Sequence, residues 1–114
     1  MPTSNLTMEI REVADGVRVI DVHGEITSFS DPQITEAHKK AGDGASAVIL
    51  NFDDLEYMNS GGIGLLVTTL IRAQRAGHDL RAYGLNDHYR QIFTLTRLDE
   101  AISIHDDESS AIAG

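Results

Sequence analysis

Asn51-Phe52-Asp53-Asp54-Leu55-Glu56-Tyr57-Met58-Asn59-Ser60-Gly61-Gly62-Ile63-Gly64 takes the chain from the end of an apolar run to the beginning of an amphipathic segment. The run is Ala47-Val48-Ile49-Leu50, continued to Phe52 with one Asn. Apolar residues without alternation mark a central strand covered on both faces. Beyond the stretch, Ile63, Leu66, Val67, Leu70 and Ile71 fall at i, i+3, i+4, i+7 and i+8, the spacing of one helix face. Gly77 closes that helix. Asp53 to Asn59 reads as an acidic loop, and Ser60 as the N-cap of the helix. A buried strand that leads directly into a helix is half of a parallel crossover unit.

The same reading extends in both directions. Towards the C-terminus, Leu80 to Tyr83 is a strand, Asn86 or Asp87 caps a helix carrying Ile92, Phe93 and Leu95, and 102–104 is a short strand. Towards the N-terminus, Met8 to Val13 partly alternates and Asp15-Gly16 marks a hairpin turn. Val17 to Val22 is a second strand, ended by Gly24. Ser30-Asp31-Pro32 starts a helix, with proline just inside it. Ile34, Ala37, His38 and Ala41 recur at helical spacing, and Gly42 and Gly44 stop the segment. Met8 and Met58 are assigned to the core. The order predicts one α/β domain over 1–114, with a mixed, mostly parallel sheet of about five strands and helices packed on it. Residues 1–5 and 106–114 are expected as loose ends, the latter with a final helical turn around Ala111. The tail carries only Ile112 as a large apolar group, so removing it is expected to leave thermal stability nearly unchanged.

Composition narrows the function. The 114 residues contain 18 Asp plus Glu against 9 Lys plus Arg, a formal net charge of -9. That balance argues against nucleic acid and anionic membranes, which need a basic face. It suits a partner with a basic docking surface, and it also keeps a small domain soluble. There is no cysteine, so disulfides and thiolate metal sites are excluded. No stretch approaches the roughly 20 apolar residues of a membrane span, and Met1 to Asn5 lacks the features of a signal peptide. A cytoplasmic protein is expected.

Ser60-Gly61-Gly62-Ile63-Gly64 is the stretch with chemical interest. Three glycines in a first helical turn oppose the helix. One reason for them is close approach of a partner backbone or a phosphoryl group to Ser60, at a helix end that tolerates negative charge. The segment lacks the spacing of a dinucleotide fingerprint and has no Walker lysine. His23, His38, His78, His88 and His105 show no metal-ligand spacing and read as surface or edge residues. Asp53, Asp54 and Glu56 read as a solvated acidic cluster. Ser60 as a nucleophile would require a base and an oxyanion hole, and neither is evident. No catalytic residue, metal or cofactor is assigned.

The stretch resembles the signature of STAS domains, an acidic-hydrophobic loop followed by Asp-Ser-Ser/Thr-Gly-hydrophobic-Gly. Gly24-Glu25-Ile26, Tyr83-Gly84-Leu85 and Leu95-Thr96-Arg97-Leu98 resemble further elements of that family, so the likeness spans nearly the whole chain. Among anti-sigma factor antagonists of the family, the serine after the aspartate is phosphorylated by a kinase that is itself the anti-sigma factor. A metal-dependent serine phosphatase reverses the modification. The resemblance implies that Ser60 is the phosphoacceptor, and that the unphosphorylated form binds the anti-sigma factor kinase. It places Thr27, Asp53, Asp54, Asn59, Ser60, Gly61 and Gly62 at the partner surface. Two departures stand out: Asn59 replaces the usual aspartate, and Thr27 replaces an aspartate common after the Gly-Glu element. The alternative implied by the family is a constitutive interaction or scaffold subunit of a signalling or transporter-associated complex, with Ser60 only a helix cap.

Overall fold

The computed structural model describes residues 5–114; the expectation for residues 1–4 lies outside them. Strands β1 (Leu6–Ala14) and β2 (Val17–Ile26) form the hairpin, and a 3₁₀ turn (Ser28–Ser30) leads into helix α1 (Asp31–Gly42). Strand β3 (Ala47–Met58), helix α2 (Ser60–Ala76), strand β4 (Asp79–Tyr83) and helix α3 (Asp87–Leu95) follow. A second 3₁₀ turn (Leu98–Glu100), strand β5 (Ser103–His105) and helix α4 (Glu108–Ala113) complete the chain. The sheet order is β1-β2-β3-β4-β5, with only the β1–β2 pair antiparallel. The expected mixed α/β sheet is therefore present.

Because each parallel strand is added on the same side of the last, right-handed crossovers put α1, α2 and α3 on one face of the sheet. Alternation then sorts the side chains. Ile20, Val22, Val48, Leu50, Leu80 and Ala82 face those helices, meeting Ala41, Leu66, Ala73 and Phe93 in the main core. Met58 is buried in this core, and Met8 packs half-buried against it. Helix caps follow side-chain chemistry: Asn86 Oδ1 accepts from Tyr89 N at 2.9 Å and so starts α3. Ser30 precedes α1 as expected, but its hydroxyl accepts from Thr27 N at 3.0 Å instead of capping that helix.

The other face departs from the expectation of a loose tail. Helix α4 docks there, with Ala111 fully buried against Val19, Ile49 and Tyr83. Glu108 receives two hydrogen bonds from Arg11, at 3.2 and 3.1 Å, and one from the Tyr83 hydroxyl at 3.0 Å. Arg11 also holds Asp21 through bonds of 2.6 and 2.9 Å. Hydrogen bonds from Arg11 keep Asp21 and Glu108 below their ordinary carboxyl range, while burial and then Glu108 push Tyr83 up to about 12. Arg81 donates to the carbonyl of Ala111 at 3.0 Å. The tail holds because a small residue, Ala111, fits flat on the sheet and charged groups clamp its two ends. Counting large apolar residues alone overlooked both devices.

Three further expectations are corrected. Strand β2 does not stop at Gly24 but runs through it: Gly24 has φ +107, and a Cβ there would lie 2.0 Å from the carbonyl of Asn5, so glycine lets the hairpin edge close. The acidic segment after Phe52 is not a loop; it extends β3, pairing Glu25 with Tyr57 and Ile26 with Met58. His38 and His78 are not surface residues: both are buried, with their Nε2 atoms 2.9 Å apart.

Candidate functional site

The extension of β3 decides where Ser60 sits. The Met58 amide donates to the buried Tyr89 hydroxyl at 2.8 Å, and the Asn59 amide donates to the Ile26 carbonyl at 3.3 Å. These bonds carry the chain to the last rung of the sheet, where α2 begins. Asn59, not Ser60, is the N-cap: its Oδ1 accepts from Gly62 N at 2.9 Å. Asn is a strong capping residue, and its extended backbone (φ -95, ψ -178) is the usual cap geometry. Ser60 is the first helical residue, exposed to solvent. The capping account of Ser60 is thereby overturned.

The three glycines separate into different roles. A Cβ on Gly62 would lie 2.3 Å from the Ile26 carbonyl oxygen, and one on Gly61 would lie 2.9 Å from Ser28 Cβ. Both are small because α2 presses on β2 and the 3₁₀ turn, an internal close approach. A Cβ on Gly64 would meet nothing within 4 Å, so Gly64 alone leaves room on the outer surface.

Ser60, Gly64, Val67 and Ile71 are spaced i, i+4, i+7 and i+11, one ridge along α2, and Val67 and Ile71 are exposed. Beside this ridge's start, the 3₁₀ turn presents Phe29, 61% exposed, and the end of β3 presents Tyr57, 48% exposed. Sequence reasoning missed Phe29 and Tyr57. It placed Val67 and Ile71 on the core face, yet Leu66, Thr69, Leu70 and Ala73 already fill the contact. The signal available was an apolar stripe wider than one buried face requires.

Of the expected partner residues, the structure brings together Thr27, Asn59, Ser60, Gly61 and Gly62. Thr27 follows Ile26, the strand partner of Met58, and its Oγ1 accepts from Phe29 N at 3.2 Å. Asp53 and Asp54 lie elsewhere. Asp54 pairs in register with His23, and its Oδ2 lies 3.1 Å from His23 Nδ1. At about 3.3 Å per strand residue, Asp54 lies roughly 13 Å from Met58. Ser60 is thus flanked in space by two uncharged polar residues, Thr27 and Asn59, and not by the acidic pair. Among the described residues no cluster of three His, Asp or Glu could hold a metal, and no helix is long and apolar enough to cross a membrane.

These features meet in a known class. The STAS domain profile matches residues 10–111, and the chain belongs to the STAS domain family. Within that family it is similar to anti-sigma factor antagonists. It is 26% identical over 88 residues to the anti-sigma-B factor antagonist of Staphylococcus aureus (strain NCTC 8325 / PS 47), covering 76% of this chain and 82% of that one. The crystal structure of an anti-sigma factor antagonist from Mycobacterium paratuberculosis superposes with a TM-score of 0.81 at 21% identity, over 98% of this chain and 95% of the other. The Bacillus cell fate determinant SpoIIAA in its phosphorylated form gives 0.71 at 21% identity, over 94% and 97%. These two likenesses establish the shared fold.

The cap assignment makes a clean prediction. Ser60→Ala is expected to leave stability within about 0.5 kcal/mol of the parent, while Asn59→Ala costs about 1 kcal/mol through loss of the cap. Chemical denaturation of both variants measures this. Equal losses would restore Ser60 as a structural residue.

Proposed function

We propose that this chain is a cytoplasmic regulatory module that binds an anti-sigma factor kinase when Ser60 is unmodified and releases it when Ser60 is phosphorylated. The observation that supports this most is the exposure of Ser60 at the first turn of α2, where its hydroxyl has no hydrogen-bond partner among the described residues and the cap is supplied by Asn59. A hydroxyl not needed by the fold can be modified without unfolding it. Phosphate adds about -1.5 to -2 charge, which a helix N-terminus accommodates, so the domain stays intact. The cost falls on the partner. Phe29 and Tyr57 beside Ser60, with Val67 and Ile71 further along the same ridge, offer apolar contact, and an apolar contact closing over a phosphate must desolvate it. A serine phosphatase would reset the switch.

The test uses the purified chain with its anti-sigma factor kinase and ATP. One phosphate is expected, mapped by mass spectrometry to the peptide containing Ser60, and Ser60→Ala should stay unmodified yet bind as tightly as the parent. Ser60→Asp should bind at least tenfold more weakly by calorimetry, about 1.4 kcal/mol. Phosphate uptake by the Ala variant equal to that of the parent, or full affinity in the Asp variant, would sink the proposal.

A further inference from the structure

Away from Ser60, an open groove of about 1240 Å³ lies along α1 and the C-terminal half of α2. At its floor His38 of α1 meets His78, at the corner between α2 and β4, with Nε2 atoms 2.9 Å apart and ring centroids 4.9 Å apart. Two neutral imidazoles can form one such bond, one Nε2–H donating to a bare Nε2. The Nδ1 of His78 is buried and has no hydrogen-bond partner among the described residues. A buried N–H without an acceptor is a rarer defect than an unsatisfied acceptor. That assigns the proton of His78 to Nε2, which donates to His38.

An extra proton therefore has no good place. On His38 Nε2 it faces the N–H of His78; on His78 Nδ1 it is a buried donor with nothing to receive it. The charges around the pair are mixed. Helix α1 contributes Asp31, Glu36, Lys39 and Lys40, the following turn Asp43, and α2 Arg72. Asp79 of β4 favours a charged His78, against burial, which disfavours it. Arg18 of β2 donates to the carbonyls of Ala41 and Asp43 at the end of α1. Burial first, then His78 and Arg72, hold His38 down to about 4. The contact is also tight, since a Cβ on Gly42 would lie 2.7 Å from His78 Cε1.

We propose that the His38–His78 pair is an acid-released latch, which when neutral holds the C-terminal half of α1 against the α2–β4 corner and on gaining a proton lets α1 come away. The sign follows from linkage. A histidine of ordinary pKa near 6.5 in the open state and depressed in the closed one stabilises the closed state fully above pH 6.5, and the contribution is lost as pH falls from there towards 4. At pH 5.5, where carboxylates remain ionised, one such histidine raises the open population about tenfold. Because α1 continues directly from the 3₁₀ turn that packs on Gly61, opening reaches the edge of the Ser60 face.

NMR of the full chain tests this without any partner. The His38 imidazole is expected to titrate with a midpoint below pH 5.5, and that of His78 below the ordinary histidine value. The amides of 34–42, corrected for intrinsic exchange, should exchange about tenfold faster at pH 5.5 than at pH 7.5, and ahead of the β2–β3 ladder at both. In His38→Phe/His78→Leu that ratio should fall to near one. Midpoints near 6.5 in the parent chain would overturn the latch even if the double variant fails to fold. So would an unchanged exchange ratio in a folded double variant, or stoichiometric zinc binding at neutral pH that shifts both imidazoles, which would make the pair a metal site.

Discussion

A chain ended after Asp106 is expected to lose about 3 kcal/mol of stability and to melt about 12 °C below the full chain. Removing α4 uncovers Val19 and Ile49, both fully buried beneath it, and much of Tyr83. Covering a Val or Ile side chain is worth about 1.5–3 kcal/mol when complete. The helix also supplies Glu108, which joins Arg11 and Tyr83. The ordering entropy of the eight residues removed offsets part of this gain, so the estimate stays well below the sum of the contacts. For a domain of this size about 1 kcal/mol moves the melting temperature by about 4 °C. Calorimetric melting of full and shortened chains measures the effect. A change below 2 °C would show that α4 adds nothing to the sheet face it covers.

Gly62→Ala is expected to be as damaging, at about 3 kcal/mol or more, although it adds one methyl group. The methyl would stand 2.3 Å from the Ile26 carbonyl oxygen, and backbone at the end of β2 cannot move without breaking the 3.3 Å bond from Asn59 N to that same oxygen. Losses of that size come from overpacking and from broken buried contacts. Gly64→Ala, two residues on, should do the reverse. Its site is open, and Ala exceeds Gly by about 0.8–1.0 kcal/mol in a helix interior, so the variant should be more stable. Urea denaturation of both separates the two glycines. A stabilised Gly64→Ala chain that also binds its partner poorly would mean that Gly64 is kept bare for the partner; a mild Gly62→Ala would place the end of β2 elsewhere.

Periodicity was enough to read the two long helices and the strand between them, because burial on one side of a regular element leaves a repeat in the chain itself. Val67 and Ile71 show where that reasoning stops. They fit the apolar repeat of α2 but lie on its outer ridge, since the sheet contacts only part of the helix circumference. His38 likewise fits the repeat of α1, but its partner His78 is forty positions away and follows no local rule. Ser60 and Asn59 are both good caps, and sequence alone could not choose between them. The choice depends on where β3 stops pairing with β2.

By itself, the sequence determined the order of elements, the mixed and mostly parallel sheet, and the family to which the chain belongs. All three rest on local patterns or on a contiguous signature. Tertiary structure alone decided that Ser60 is free of the capping role, that Gly62 packs inward while Gly64 faces out, and that the acidic pair sits far from the serine. It also decided that the tail docks and that two histidines share a buried bond. Each of these depends on which distant segments the sheet register brings within a few ångströms, and no local repeat encodes a distance between segments.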